Sequence, residues 1–279
     1  MFYFAYSSDP TVSFDLTLSS QSRNLSHLTN KKFLWNYNLH IPFRRLGVDT
    51  SQWLIKIICG CVEIKKVFTL SKQFKVCLFS RLSCERMGTR FQCRGLNDEG
   101  NCANFVETEQ VLFSEDSDEE SSFLQIRGSV PVFFEQTGFQ VGNHRIKMSR
   151  GTDACYPAFD KHIKSLVHEY GTQLYILNLL GTKGDESVLT EFFETLCHES
   201  PFSMNKQLTY FNFDYHFEMK INKQALGERM WPGVVSNLYA DNHKTKQTDG
   251  MFFYFRKETN ATKLQTKFIR TNCMDCLDR

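Results

Sequence analysis

Cys273 stands five residues before Arg279 in the stretch Arg270-Thr-Asn-Cys-Met-Asp-Cys-Leu-Asp-Arg279. That spacing lets a short loop wrap a phosphoryl group, with a thiolate below it and a guanidinium beside it. The peptide N–H groups of a tight loop, here at Met274, Cys276 and Leu277, converge on phosphoryl oxygens and form an anion nest. Arg279 can hold two of those oxygens at once. A cysteine in such an electropositive cup loses its proton near neutral pH and becomes a nucleophile. Asp275 and Asp278, inside the same loop, are placed as proton donors to a leaving group. The chemistry this spells is phosphoryl transfer through sulfur.

Spacing alone does not choose the site, because Cys84-Glu-Arg-Met-Gly-Thr-Arg90 repeats it. What must position the loop decides between them. Lys267 to Ile269 reads as a strand running straight into the Cys273 loop, whereas the Cys84 segment lies between strand candidates and reads as a turn through Gly88. The Cys84 loop also offers only Glu85 as an acid. Cys276 makes a Cys-x-x-Cys pair with Cys273, but no second such pair completes a zinc site. A reversible Cys273–Cys276 disulfide that silences the site stays open. The acidic stretch Ser114 to Glu120 fails as a calcium loop, because Ser121 and Arg127 fall where Gly and Glu are needed, and it reads as a hairpin turn.

Composition sets the frame. With 279 residues, 41% of them apolar and 23% charged, the chain reads as soluble and globular, in one large domain or two smaller ones. A net charge of +2 supplies no global field for nucleic acid, so an anion site must be local. The apolar run Trp53 to Val62 is too short to span a bilayer, and the N-terminus lacks the marks of a signal peptide. Ten scattered cysteines point to a reducing, cytoplasmic setting.

To about Phe134 the pattern is strand-like, with runs at Phe2–Tyr6, Phe14–Leu18, Trp53–Val62, Val76–Leu82 and Phe105–Phe113. Ser19 to Lys32 is polar and reads as a loop. After about Cys155, helix and strand alternate. Pro157 is expected in the first turn of a helix whose stripe Phe159, Ile163, Leu166, Val167 and Tyr170 stops at Gly171. Leu174–Leu179 reads as a strand, Val188–Leu196 as a helix, and Leu208–Phe213 and Met251–Phe255 as further strands. Such alternation implies an α/β layer with ligands at the carboxyl ends of its strands.

The terminal signature resembles the active-site motif of Sac-domain phosphoinositide phosphatases. Gly88-Thr-Arg-Phe91, Arg94-Gly95, Ala103-Asn-Phe-Val-Glu-Thr-Glu-Gln110, Arg127-Gly-Ser-Val-Pro-Val-Phe-Phe-Glu-Gln136 and Asn212-Phe-Asp-Tyr-His216 agree in order and spacing. Ser83-Cys-Glu-Arg86, Gln140-Val-Gly-Asn-His144 and Asn178-Leu-Leu-Gly181 place the likeness in the synaptojanin branch. The resemblance implies an α/β (α+β overall) fold: a partial β-rich N-terminal subdomain over 1–75, then an α/β catalytic subdomain over 76–279 carrying the Cys-x5-Arg loop. Phe134 stands where the family usually has Trp. The chain also lacks the first part of the family's N-terminal subdomain, carries no inositol 5-phosphatase domain, and ends at Arg279 where the family continues into a helix. It therefore reads as a fragment, a partial gene product or a short isoform. An α-carboxylate at Arg279 would repel bound phosphate, so the 279 residues alone are expected to be inactive.

The resemblance further implies hydrolysis of phosphatidylinositol monophosphates, chiefly the 4-phosphate, through a cysteinyl-phosphate at Cys273. Arg279 and the loop amides stabilise the transferring group, and Asp278, or secondly Asp275, protonates the departing oxygen. No metal or cofactor is required. Arg127 is expected either as a second phosphate ligand or as an ion-pair partner of Glu107 or Glu109, while Asn104 and Asp214 are expected around the site. His144, Arg145, Lys147 and Arg150 can face anionic lipid or simply form a solvated loop, and His216 reads as a core histidine. The implied partners are phosphoinositide lipids at cytosolic membrane faces and, by family, endocytic proteins, with no nucleic acid. The competing readings are a catalytically silent phosphoinositide-binding module and a protein-tyrosine phosphatase, against which the two loop aspartates speak.

Overall fold

The computed structural model describes residues 1–6, 14–25, 29–69, 72–89, 92–114, 118–137, 145–221, 250–274 and 276. Along them run β1 (Phe2–Tyr3), α1 (Ser20–Leu25), α2 (Tyr37–Arg45), β2 (Ile58–Phe68), β3 (Gln73–Leu82), β4 (Val106–Ser114), β5 (Glu119–Ser129), β6 (Phe134–Thr137), β7 (Arg145–Met148), α3 (Thr152–Tyr170), β8 (Gln173–Asn178), α4 (Asp185–Glu199), α5 (Pro201–Met204), β9 (Leu208–Asn212), α6 (Tyr215–Ile221), β10 (Phe253–Arg256), β11 (Ala261–Lys263) and β12 (Lys267–Cys273). They form a mixed α/β fold with two compact units.

The first unit gathers residues 1–85, 106–124 and 252–265. Its strands follow the order β1-β2-β3-β4-β5, with β10 antiparallel to β5 and to β11. Side chains alternate across a strand. Cys77 and Phe79 of β3 and Val111 of β4 therefore share a core with Leu16 and Ile58. Two residues beyond Phe79 the same face carries Arg81, fully buried and paired with Glu107 at 3.3 Å and Glu109 at 2.8 Å. These are the glutamates for which Arg127 was a candidate partner. Glu109 also accepts the Ser20 N–H at 2.7 Å, which helps hold α1 where polar composition reads as loop. Phe14–Leu18 is a turn rather than a strand, because Asp15 accepts both the Thr17 N–H (2.9 Å) and its hydroxyl (2.7 Å). β2 begins only at Ile58, since Asp49 caps a short 3₁₀ turn over Thr50–Gln52.

The second unit gathers residues 86–105, 125–251 and 266–279. Its sheet is parallel, in the order β5-β12-β8-β9, with β5 contributing residues 125–129. Phe159, Ile163 and Leu166 of α3 and Leu189, Phe193 and Leu196 of α4 are buried, and Phe159 meets Phe193 edge to face at 6.1 Å. Gly171 ends α3 at φ +141°, its N–H donating to Val167 O. Pro157 falls in the second turn of α3 instead of the first, because the helix starts earlier, at Thr152 after Gly151. β12 extends past Ile269 to Cys273, held on both sides by β5 and β8.

Candidate active site

β12 is flanked by parallel strands, and its register sorts the local polar residues onto two faces. Thr271 lies opposite Arg127 and Cys273 opposite Ser129, so these four share one face at the carboxyl end of the sheet. Arg270 and Asn272 take the other face, with Asn272 opposite Asn178.

On the first face Cys273 is 1% exposed, and the chain turns sharply after it. Val130 N–H donates to Cys273 O at 3.1 Å, which fixes the last strand residue. Cys276 takes φ +53°, unusual for a residue with a Cβ and a mark of a constrained turn. The turn aims the Cys276 N–H at Cys273 Sγ, 2.9 Å away, and leaves the two sulfurs 3.2 Å apart. A sulfur that accepts a peptide N–H is favoured as thiolate. The Cys276 thiol is held below its ordinary range, first by its hydrogen bond with Cys273 and then by the charges of Arg127 and Arg270, against the opposing effect of burial. The pair thus shares a proton that leaves readily.

Residues from distant parts of the chain hold this turn. Arg127 donates Nη1 to Cys276 O at 2.6 Å. The Ser129 hydroxyl donates to Met274 O and accepts Gly95 N–H at 3.0 Å. Arg94 donates Nη1 to Met274 Sδ at 3.0 Å and also bonds Gln136. Gly95 sits at φ +65°, and a Cβ there would lie 2.0 Å from Val132 O, so only glycine brings this N–H close.

Beneath the sheet, Arg270 is fully buried. It donates to Ser129 O (2.9 Å), Asn272 Oδ1 (3.2 Å), His162 Nε2 (3.2 Å) and Cys102 Sγ (3.3 Å). His162 Nδ1 lies 2.9 Å from Gly100 O, so the proton sits on Nδ1 and Nε2 accepts from Arg270. Asn272 bonds Asn178, which donates to Tyr210 Oη at 2.9 Å. Burial pushes the Cys102 thiol up to about 11, so it stays neutral in this network.

Among the expected residues, Cys273, Met274, Cys276 and Arg127 come together. Asp275, Leu277, Asp278 and Arg279 lie outside the described residues, as do Arg90 and His144. Asn104, at φ +51°, donates its N–H to Arg86 O (3.2 Å) and accepts Gly88 N–H (3.3 Å), bracing the turn before Arg94. Asp214 caps α6 through Phe217 N–H (3.0 Å) and accepts Thr182 N–H (2.9 Å). Burial raises its pKa, but these hydrogen bonds outweigh it and hold the carboxyl below its usual range. His216 is half exposed, 3.9 Å from Glu186, and so is not a core histidine. The rival Cys84 tucks its sulfur 3.6 Å from Lys31 O, and desolvation pushes that thiol up. Among the described residues no three His, Cys, Asp or Glu side chains converge as metal ligands.

Ser129 lies inside the Arg127–Gln136 motif without an expected role, and His162 lies in no motif; a polar pair at strand period, Arg270 and Asn272 inside an apolar strand, was the available signal for the network below.

A family profile described as SacI homology domain matches residues 1–220. The chain is 45% identical over 279 residues to Synaptojanin-1 of Homo sapiens, across 100% of this chain and 17% of that protein. It is 44% identical over 282 residues to Synaptojanin of Caenorhabditis elegans, across 100% of this chain and 23% of that protein. To Polyphosphatidylinositol phosphatase INP53 of Saccharomyces cerevisiae it is 34% identical over 293 residues, across 99% of this chain and 25% of that protein. The chain thus spans no more than a quarter of the length of each of these relatives.

Proposed function

The chain belongs to the SacI homology domain family, and from that footing we propose that it is a phosphoinositide phosphatase working through a cysteinyl-phosphate. The observation that carries the reading is Cys273 itself: a strand-end cysteine whose sulfur accepts the Cys276 N–H at 2.9 Å. Cys273 Sγ attacks the phosphorus of a phosphatidylinositol monophosphate, chiefly the 4-phosphate, as the bond from phosphorus to the inositol oxygen breaks. Asp278, or secondly Asp275, gives its proton to that oxygen. Water then attacks the phosphocysteine, releasing inorganic phosphate and restoring the thiolate. Arg279 and the loop amides stabilise the equatorial oxygens throughout. Arg127, bonded to Cys276 O, holds the turn so that these amides stay converged.

Phosphate release by the full-length protein from short-chain phosphatidylinositol 4-phosphate and from a phosphotyrosine peptide tests this. The lipid is the expected substrate, and Cys273→Ser is expected to abolish release while keeping lipid affinity. Normal turnover by Cys273→Ser, or preference for the peptide, would sink the assignment.

A further inference from the structure

Within the second unit lies a cavity of about 580 Å³ with an unusual lining: Arg86, Arg94 and Arg150, with Phe133 and Gln136. Of its described lining residues only Glu135 is acidic, and that side chain is exposed. Its guanidinium groups are set in place by the protein. Arg86 gives Nε to Gly95 O (3.2 Å) and Nη2 to Arg94 O (3.0 Å). Its Nη1 has no partner among the described residues. Arg150 stacks over the Phe133 ring at 3.8 Å and gives one hydrogen bond from each Nη to the Asp98 carboxylate, itself 67% exposed, which leaves its remaining N–H groups as donors. Arg94 is 7% exposed, lines the same cavity and reaches Met274 of the cysteine loop. Three ordered guanidinium groups line a concave space, and planar forks of donors suit phosphate. Net charge cannot explain it, since the whole chain carries only +2.

We propose that this cavity is a subsite for a second phosphate of the headgroup whose first phosphate reacts at Cys273. The assignment rests on the reaction proposed above. Arg94 is the physical link, because one side chain borders the cavity and contacts the residue next to Cys273. Arg86 and Arg150 supply donors, and the Phe133 ring supplies a flat wall. A ligand with two phosphates, such as a phosphoinositide with its glycerol-linking diester and a ring monoester, spans loop and cavity. A lone phosphate ion engages only one of the two.

The test uses full-length Cys273→Ser protein and calorimetric titration with inositol 1,4-bisphosphate, inositol 4-phosphate and inorganic phosphate. The bisphosphate is expected to bind about tenfold more tightly than the monophosphate, the gain of one set of charged hydrogen bonds. Arg150→Gln is expected to remove most of that advantage while leaving the monophosphate affinity within about twofold, and Arg150→Lys to restore part of it. Arg86→Gln is expected to act in the same direction, with its thermal melt read alongside. Equal affinities for the two inositol phosphates, or an Arg150→Gln loss that is the same for both, overturns the subsite. Inorganic phosphate binding as tightly as the bisphosphate makes the cavity a free-anion site and overturns the headgroup assignment. Failure of the unsubstituted protein to hydrolyse short-chain lipid strikes the proposed reaction, and these affinities still judge the cavity.

Discussion

The Cys273–Cys276 pair combines two properties that oppose each other in most cysteines: deep burial and easy loss of a proton. Burial drives Cys102 the other way, up to about 11, against the charges of Arg270 and Arg86. What separates them is the partner set, since the pair carries a peptide N–H at 2.9 Å and a thiol contact at 3.2 Å. Ultraviolet thiolate absorbance, taken as the difference between the unsubstituted protein and Cys276→Ser, is expected to titrate below the free-thiol value of about 8.5. A midpoint at or above that value would remove the electrostatic basis given to the loop. Because the folded pKa is depressed, the associated stability is present above the unfolded thiol pKa and is lost as pH falls through the folded one. Among the described residues, the charged and titratable groups near the pair are Arg127 from β5, Arg270 from β12 and Arg94 against Met274, with His162 behind Arg270.

At the level of elements, a single alternation explains both the core of the first unit and its most exposed risk. β3 presents Cys77, Phe79 and Arg81 on one face, so a fully buried cation follows directly on an apolar run. β4 answers with Glu107 and Glu109 at the same period. Replacing Arg81 strands two buried carboxylates. Arg81→Met is therefore expected to lower the unfolding free energy by about 3–5 kcal/mol. Arg81→Met combined with Glu109→Gln is expected to recover part of the loss. Urea titration reads both, and an Arg81→Met midpoint equal to that of the unsubstituted protein would show the network to be energetically idle. In the second unit the corresponding device is positional. Gly128 opposite Asn272 leaves room for Cys102, whose Sγ would lie 3.3 Å from a Cβ there.

For the whole molecule, the proposed lipid substrate would have to be recognised locally. Among the described residues no helix is long and apolar enough to cross a membrane, and a net charge of +2 gives little general attraction to anionic surfaces. Cosedimentation of Cys273→Ser protein with vesicles is accordingly expected to depend on phosphatidylinositol 4-phosphate and to gain little from phosphatidylserine alone. Equal binding to both would place recognition on a diffuse charged surface. The sequence by itself determined the strand and helix alternation after Cys155, the stop of α3 at Gly171 and a cysteine where a strand runs into a loop. Each is written in residues a few positions apart, through periodicity, glycine and local spacing. Tertiary structure alone decided what steadies that cysteine. Arg94 meets Met274 across 180 residues and Arg127 meets Cys276 across 149, while α1 depends on Glu109, 89 residues from Ser20. Such contacts leave no local period in the chain, because they exist only once separate strands are brought into register.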